Sequence, residues 1–598
     1  MFKFKVSYVA LAAALSSSVV YADPSSYTHR SGANVIDIEA PNAAGVSHNL
    51  YREFNVGPNG TILNNSASDV NHSTHGNIAK NNNLTNGSAS VILNEVTSNK
   101  MSNLQGFIEV NGQKADVVIA NPNGITCSGC SFINTNKAVL TTGQVNLSDT
   151  GAIDSYTVTQ GKITIDDKGM NASNSYAALL ADAIAINGTM TAANAMVGAG
   201  NLTFDNKTGK MTSLGKAATA KQILYPEYSI DISQLGGIKA NSITMTGNNL
   251  GFGVRNKGTM AANTLLTMTS NGSLINEGAI TGKGIATQIV SAGEMKNKGS
   301  INSSALATQV TTLNTLTNEG TITSDKTLNV SAAGNLVNTG RINGTKALTL
   351  TTLGDINTTY GSTINADGQL NISAHNINNG GTMWGEITNV KFSGDNLTVT
   401  GNLWGYTNLA IVSAKDSNVS SGNIHNTGRI SGIDISLITN GDIIQDGNLV
   451  SGNSMTVKSV QFKNNNYVYG KSVQIESNNV HNKATIDSVD ANIIAYYGMK
   501  NEGQIIAAKD LTLDTKNFAD ITNYGTLQAG ENLTIIANKV YNGGYRCGFL
   551  KLSTCNVGSI STKEGANKQV ISSQADSLIK ISRIWADFFP ANTSNQPV

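Results

Sequence analysis

Asn256-Lys-Gly-Thr-Met260, Asn276-Glu-Gly-Ala-Ile280, Asn297-Lys-Gly-Ser-Ile301, Asn318-Glu-Gly-Thr-Ile322 and Asn338-Thr-Gly-Arg-Ile342 repeat one phrase: Asn, any residue, Gly, any residue, a large apolar residue. The copies lie about 20 residues apart, a period typical of stacked coils. Further copies stand at Asn379–Met383, Asn426–Ile430, Asn501–Ile505 and Asn523–Leu527, with a looser one at Asn357–Ile364. Between them, alternating runs such as Leu328-Asn-Val-Ser331, Leu348-Thr-Leu-Thr351, Leu370-Asn-Ile-Ser373 and Leu511-Thr-Leu-Asp514 read as strands with one buried face.

One such repeat cannot bury its apolar face alone, whereas successive coils can pair strand on strand and line up their Ile, Leu and Val in a continuous core. The fold class expected is therefore all-β, a right-handed parallel β-helix with an N-terminal capping domain. The repeat Gly is expected to supply a positive φ at each corner. The repeat Asn is expected to bond to its copy in the next coil, as Asn ladders do in cross-β stacks. A β-sandwich array is the rival, but it would not keep one phrase at so constant a period. The phrase fades over 383–420 and 450–480, which read as extra loops or divergent coils. It stops near Tyr545, leaving 546–598 as a cap or tail.

Over 598 residues the net charge is +1 and charged residues make up 13%. Such a chain lacks the basic field that nucleic-acid binding requires. At the N-terminus, Lys3 and Lys5 precede an apolar run, Val6 to Val20, and Val20-Tyr21-Ala22 resembles a peptidase site. Residues 1–22 thus read as an export signal too short to span a bilayer.

The four cysteines fall in two local pairs, Cys127 with Cys130 and Cys547 with Cys555. In an exported chain disulfides are favoured, three connectivities are open, and a zinc site lacks its second ligand pair. His72 and His75 lie in a polar stretch without a metalloprotease pattern and read as surface residues, so no metal or other cofactor is expected. Asp166-Asp167 would point to opposite faces of a strand. Glu277, Glu319 and Glu502 alternate with Lys257, Lys298 and Thr339 at the variable repeat position, which reads as solvated decoration and not as a catalytic face. No enzyme is expected.

His48-Asn-Leu-Tyr-Arg-Glu-Phe-Asn-Val56, Gly57-Pro-Asn-Gly60, Ala120-Asn-Pro-Asn-Gly-Ile-Thr-Cys-Ser-Gly-Cys130 and Phe132-Ile-Asn-Thr135 to Leu140-Thr-Thr-Gly143 resemble, in order, the secretion domain of two-partner secretion exoproteins. The cysteine-bearing form resembles the branch of haemolysins, filamentous-haemagglutinin-like adhesins and contact-dependent toxins. The resemblance implies division into a secretion domain, 23–253, and a stalk of haemagglutinin-type repeats, 254–545. It implies an outer-membrane transporter as partner, export through the periplasm of a Gram-negative bacterium, and a place at the cell surface or outside. It assigns recognition and folding roles to Asn121, Pro122, Asn123, Gly124 and Ile125. A second family motif, Asn-Pro-Asn-Leu, matches at Asn81, Asn83 and Leu84, with Asn82 where the proline would stand.

Threading through a pore implies disulfides that close only tiny loops, Cys127–Cys130 and Cys547–Cys555. The function implied is that of a haemagglutinin-like adhesin, monomeric, meeting a host or neighbouring cell. The alternatives are a haemolysin-type cytolysin or the front part of a longer adhesin or contact-dependent toxin. Trp384, Trp404 and Tyr406 are the candidate ligand contacts, being aromatics on a scaffold poor in them.

Overall fold

A computed structural model describes residues 23–215, 228–249, 253–414 and 422–543, with short strands at Tyr545–Cys547, Ser553–Cys555 and Ser559–Thr562. The export signal at 1–22 lies outside the described residues, as does most of the tail. All regular structure among the described residues is β. The chain divides into two compact units, Met1–Asp182 with Asn201–Leu214, and Ala183–Gly200 with Gly215–Val598.

The second unit shows the coil in its plainest form. Strands Leu274–Asn276, Ala279–Gly282 and Ala286–Ser291 make one turn. Each pairs in parallel with its counterpart in the next coil, Met295–Asn297, Ser300–Ser303 and Ala307–Thr312. Alternation along each strand sends one residue in and the next out. Met260, Ile280, Ile301, Ile322, Ile342 and Ile364 therefore form a column of successive partners, none more than 1% exposed. Each contributes about 1.5–3 kcal/mol of burial, which no single coil could gain alone.

The repeat Asn form the ladder expected. Asn256, Asn276, Asn297 and Asn318 each donate a side-chain amide to the side-chain oxygen of the next, ending at Asn338, at 2.7–2.8 Å, inside the coil. A second ladder runs through Asn464, Asn482, Asn501, Asn523 and Asn542.

The repeat Gly overturn an expectation. Gly258, Gly278, Gly299, Gly320 and Gly340 are absent from the positions of positive φ among the described residues. They are required by close approach instead. A Cβ on Gly299 would sit on the carbonyl oxygen of Gly278, and one on Gly320 on that of Gly299. The coils pass backbone against backbone at this corner, where only a residue without a side chain fits.

The described parts of the faded stretches are regular coils, not loops. Thr382–Phe392 pairs in parallel with Asn402–Ser413, and Ser454–Asn464 with Tyr467–Asn482. The charged repeat positions lie outside; Lys298 pairs across coils with Glu277 at 3.3 Å and Glu502 with His481 at 2.8 Å, while Lys500 of its own coil also reaches Glu502 at 2.6 Å.

In the first unit Val46–Tyr51, Val91–Val96, Ala115–Ala120, Thr135–Thr141 and Met170–Ala181 stack in parallel. A separate antiparallel sheet, Gln144–Leu147, Ile153–Val158, Leu202–Asp205 and Met211–Ser213, belongs to the same unit. Two small antiparallel pairings complete it, Ser26–Thr28 with Asn34–Asp37 and Val70–His72 with Gly76–Ile78. Asp166-Asp167 is in a turn and not on a strand, since the Asp166 carboxylate accepts the Asp167 N–H at 2.8 Å and Gly169 closes the turn onto the Asp166 carbonyl.

Candidate functional site

Asn121 ends strand Ala115–Ala120 and is fully buried. Its amide donates to the Lys100 carbonyl and the Ser102 hydroxyl, both at 2.9 Å, joining it to the coil below. Its side-chain oxygen accepts the Asn123 N–H at 3.0 Å, an Asx turn, while the Gly124 N–H closes a β-turn onto the Asn121 carbonyl at 3.1 Å. Asn123 reaches down to the Ser98 carbonyl at 2.7 Å. Pro122 stands at the first central position of the turn, where its fixed φ pre-sets the bend. Gly124 has a φ of 117° and needs to be Gly, because a Cβ there would be strained and 3.0 Å from the Lys162 carbonyl oxygen. Ile125, buried, then joins the ladder between Ser102 and Ile163.

The second motif repeats this geometry in an earlier coil. Asn81 is buried, donates to the Ile38 and Asn64 carbonyls at 2.8 and 3.0 Å, and accepts the Asn83 N–H at 2.9 Å. Asn83 also reaches the Ile38 carbonyl, and Leu84 closes the turn onto Asn81 and is buried. Asn82, exposed, takes the place that Pro122 holds in the other turn. The two motifs are thus one device used twice. Each asparagine pair ties a corner to the coil beneath it, and only the middle of the turn faces solvent.

Residues 16–276 match the family described as the TPS secretion domain. The chain is a two-partner secretion exoprotein. Such a domain implies an outer-membrane transporter as partner and secretion across the outer membrane of a Gram-negative bacterium. "Toxin CdiA" of Escherichia coli is 38% identical over 254 residues, 42% of this chain and 8% of the relative. "16S rRNA endonuclease CdiA" of Enterobacter cloacae subsp. cloacae is 30% identical over 551 residues, 88% of this chain and 16% of the relative. The chain therefore spans a small part of the curated relatives it matches. Among solved structures, a filamentous haemagglutinin secretion domain is 32% identical with a TM-score of 0.40, covering 48% of this chain and 95% of that one. The HMW1 secretion domain of Haemophilus influenzae is 15% identical with a TM-score of 0.22, covering 72% of this chain and 97% of that one.

In this exoprotein Cys127 and Cys130 are bonded to each other and buried, bracketing a tight turn at Ser128 and Gly129, where Gly129 has a φ of 81°. Of the other pair only backbone is described. The strands Tyr545–Cys547 and Ser553–Cys555 pair antiparallel, with Cys555 opposite Tyr545.

The two close histidines are not surface residues. His72 and His75 flank the turn between two small strands, and their side chains are 18% and 9% exposed. Both face one buried carboxylate, His72 Nε2 to Glu109 Oε1 at 2.7 Å and His75 Nε2 to Glu109 Oε2 at 3.2 Å. His75 stacks on Phe107, ring centroids 5.4 Å apart. Three potential metal ligands meet here, a grouping hidden in the sequence by the separation of 34 positions from His75 to Glu109. The geometry of His72 favours hydrogen bonding over ligation. Its Nδ1 accepts the Thr74 and His75 N–H groups at 3.1 and 3.2 Å, so in the neutral ring Nε2 carries the proton and donates it to Glu109.

Trp384 and Trp404 are direct partners in neighbouring coils, ring centroids 6.2 Å apart. They flank the buried column at Met383 and Leu403 and face outward, partly exposed. Tyr406 lies beyond the Gly405 corner and is 69% exposed. Arg429 and Asn448, also outward, continue the adjoining column that begins at Thr382 and Asn402.

Proposed function

We propose that the mature exoprotein starts at Asp23, is delivered to its transporter by residues 23–253, and acts outside as a monomeric haemagglutinin-like adhesin. In this reading the coils of 254–545 are a stalk, 546–598 covers its last coil, and Trp384, Trp404 and Tyr406 meet a host or neighbouring cell. The outward Trp384–Trp404 pair supports it. Large rings left on a solenoid surface otherwise built of Asn, Thr and Ser gain nothing for the core, but offer a flat apolar platform rimmed by hydrogen-bonding groups.

The test is co-expression with the partner transporter, followed by agglutination and lysis assays on the same erythrocytes. Agglutination without lysis supports an adhesin. Lysis by the purified secreted protein sinks it in favour of a haemolysin-type cytolysin. A second reading, the front part of a contact-dependent toxin, is favoured by the likeness to a relative named as an endonuclease over 88% of this chain. Growth inhibition of neighbours in co-culture by cells expressing this chain's full gene would select it.

A further inference from the structure

In the first unit, Lys137 on strand Thr135–Thr141 donates from Nζ to Asn206 Oδ1 at 2.6 Å, across 69 residues of sequence. Asn206 follows strand Leu202–Asp205 of the separate antiparallel sheet, and its amide is held still. Nδ2 donates to the Ile153 carbonyl at 3.1 Å, and the backbone N–H to the Asp154 carbonyl at 2.9 Å. Aromatic rings wall the contact. Nζ lies 5.5 Å from the centroids of both Tyr176 and Phe204, and the buried Tyr156 flanks Phe204 at 6.0 Å.

Asp116, on the neighbouring strand Ala115–Ala120, accepts the backbone N–H of Lys137 and acts electrostatically on its side chain. Burial holds the Lys137 ammonium below its ordinary value, although Asp116 opposes this, and burial pushes the Asp116 carboxyl up, although Lys137 opposes that. Both effects favour a neutral amine beside a protonated acid. An amine hydrogen-bonded to an immobilised carboxamide, with a carboxyl group on the next strand and aromatic rings around the contact, is an arrangement that acyl transfer can use.

We propose that Lys137 and Asn206 join in an intramolecular isopeptide bond, with Asp116 as proton carrier. The neutral Lys137 amine attacks Asn206 Cγ, forming the Nζ–Cγ bond. Asp116 protonates the oxygen that becomes negative and takes a proton from Nζ. Asp116 then protonates Nδ2 and takes back the hydroxyl proton as the carbonyl re-forms, so that the Cγ–Nδ2 bond breaks and ammonia leaves. The acid is regenerated, nothing is oxidised or reduced, and no co-reactant is consumed. The product ties the antiparallel sheet to the coils. It must form after export, because a closed loop between residues 137 and 206 could not thread a narrow pore, and the reacting groups meet only in the folded coil.

The test is intact-mass spectrometry and tryptic mapping of the full secreted chain. The expected result is a mass one ammonia below the disulfide-bonded sequence and a branched peptide joining Lys137 to Asn206. Asp116→Asn and Lys137→Arg, checked for β content by circular dichroism, should each restore the full mass and separate the peptides. A full mass in the native chain overturns the proposal. So does a deficit that survives Lys137→Arg, since an asparagine can lose ammonia by cyclising on its own backbone.

Discussion

Asn318 donates its side-chain amide to Asn338 Oδ1 at 2.8 Å, and in turn accepts the amide of Asn297 at 2.8 Å, all three being fully buried. The same amide also reaches the Gly320 and Arg341 carbonyls. Asn318→Ala removes one acceptor and two donors from a dry corner. The expected cost is about 2–4 kcal/mol, because each orphaned buried group costs about 1–3 kcal/mol. Since coils contact only their neighbours, amide exchange should accelerate in the coils around Asn297 to Asn338 and not at Asn501. Uniform acceleration along the chain would contradict the ladder's local role.

Gly299→Ala should be worse than its size suggests. The added methyl meets the Gly278 carbonyl oxygen, so two coils must part or shift. Overpacking of this kind costs about 1–3 kcal/mol and often more. Gly452 is the control, since its φ is not positive and a Cβ there has no neighbour closer than 3.6 Å. Gly452→Ala should be neutral or slightly stabilising. Urea titrations of both variants compare them directly, and equal midpoints would show that backbone approach does not fix the repeat Gly.

That pair also marks where sequence stops and geometry begins. The phrase from Asn256 onward shows the coil, its inward column and its Asn ladder, because those follow from period and alternation. It does not show why Gly is there. Positive φ and close approach both select Gly, and only the distance to Gly278 decides. The two Asn-X-Asn motifs were visible as words, but not as one turn built twice, because their partners Ile38, Asn64, Ser98 and Lys100 are set by stacking. His72, His75 and Glu109, like Lys137 and Asn206, come together through contacts that no local pattern encodes.

Asn82→Pro should stabilise the secretion domain. The matching turn accepts Pro122 at the same place, and Asn82 is exposed. Where the native backbone suits it, a proline gains about 0.4–1 kcal/mol by narrowing the unfolded ensemble. Asn81→Ala should do the opposite by about 2–3 kcal/mol, since it takes a buried amide away from the Ile38 and Asn64 carbonyls and an acceptor away from the Asn83 N–H. Thermal melts of residues 23–253 measure both, if that segment folds alone, and otherwise melts of the whole chain. A destabilising Asn82→Pro would show that the two turns differ in backbone.

Replacing Cys127 and Cys130 by Ser should lower stability by about 2 kcal/mol, the value loop closure gives for so short a loop. Secretion should survive, because the bond closes only a turn. Non-reducing peptide mapping should find Cys127–Cys130 and Cys547–Cys555 as separate local crosslinks. A crosslink between Cys127 and Cys547 would contradict export by threading.

Trp384→Ala with Trp404→Ala is the decisive change for the surface reading. Both rings face outward from a column whose inward members, Met383 and Leu403, are no more than 1% exposed, so truncation leaves no cavity in the core. The loss in stability should stay near the 0.5–1.5 kcal/mol of an aromatic pair, plus what little area the rings cover. Stacking contacts with a ligand are worth far more to binding, since aromatic anchors commonly cost about 2 kcal/mol or more when removed. Cell binding should therefore fall at least tenfold while secreted yield and melting temperature barely move. Met383→Ala is the contrast, expected to cost about 2–5 kcal/mol in stability. If the double Trp variant binds cells as the native chain does, the Trp384–Trp404 platform is not the contact surface, and Tyr406→Ala tests the remaining exposed ring.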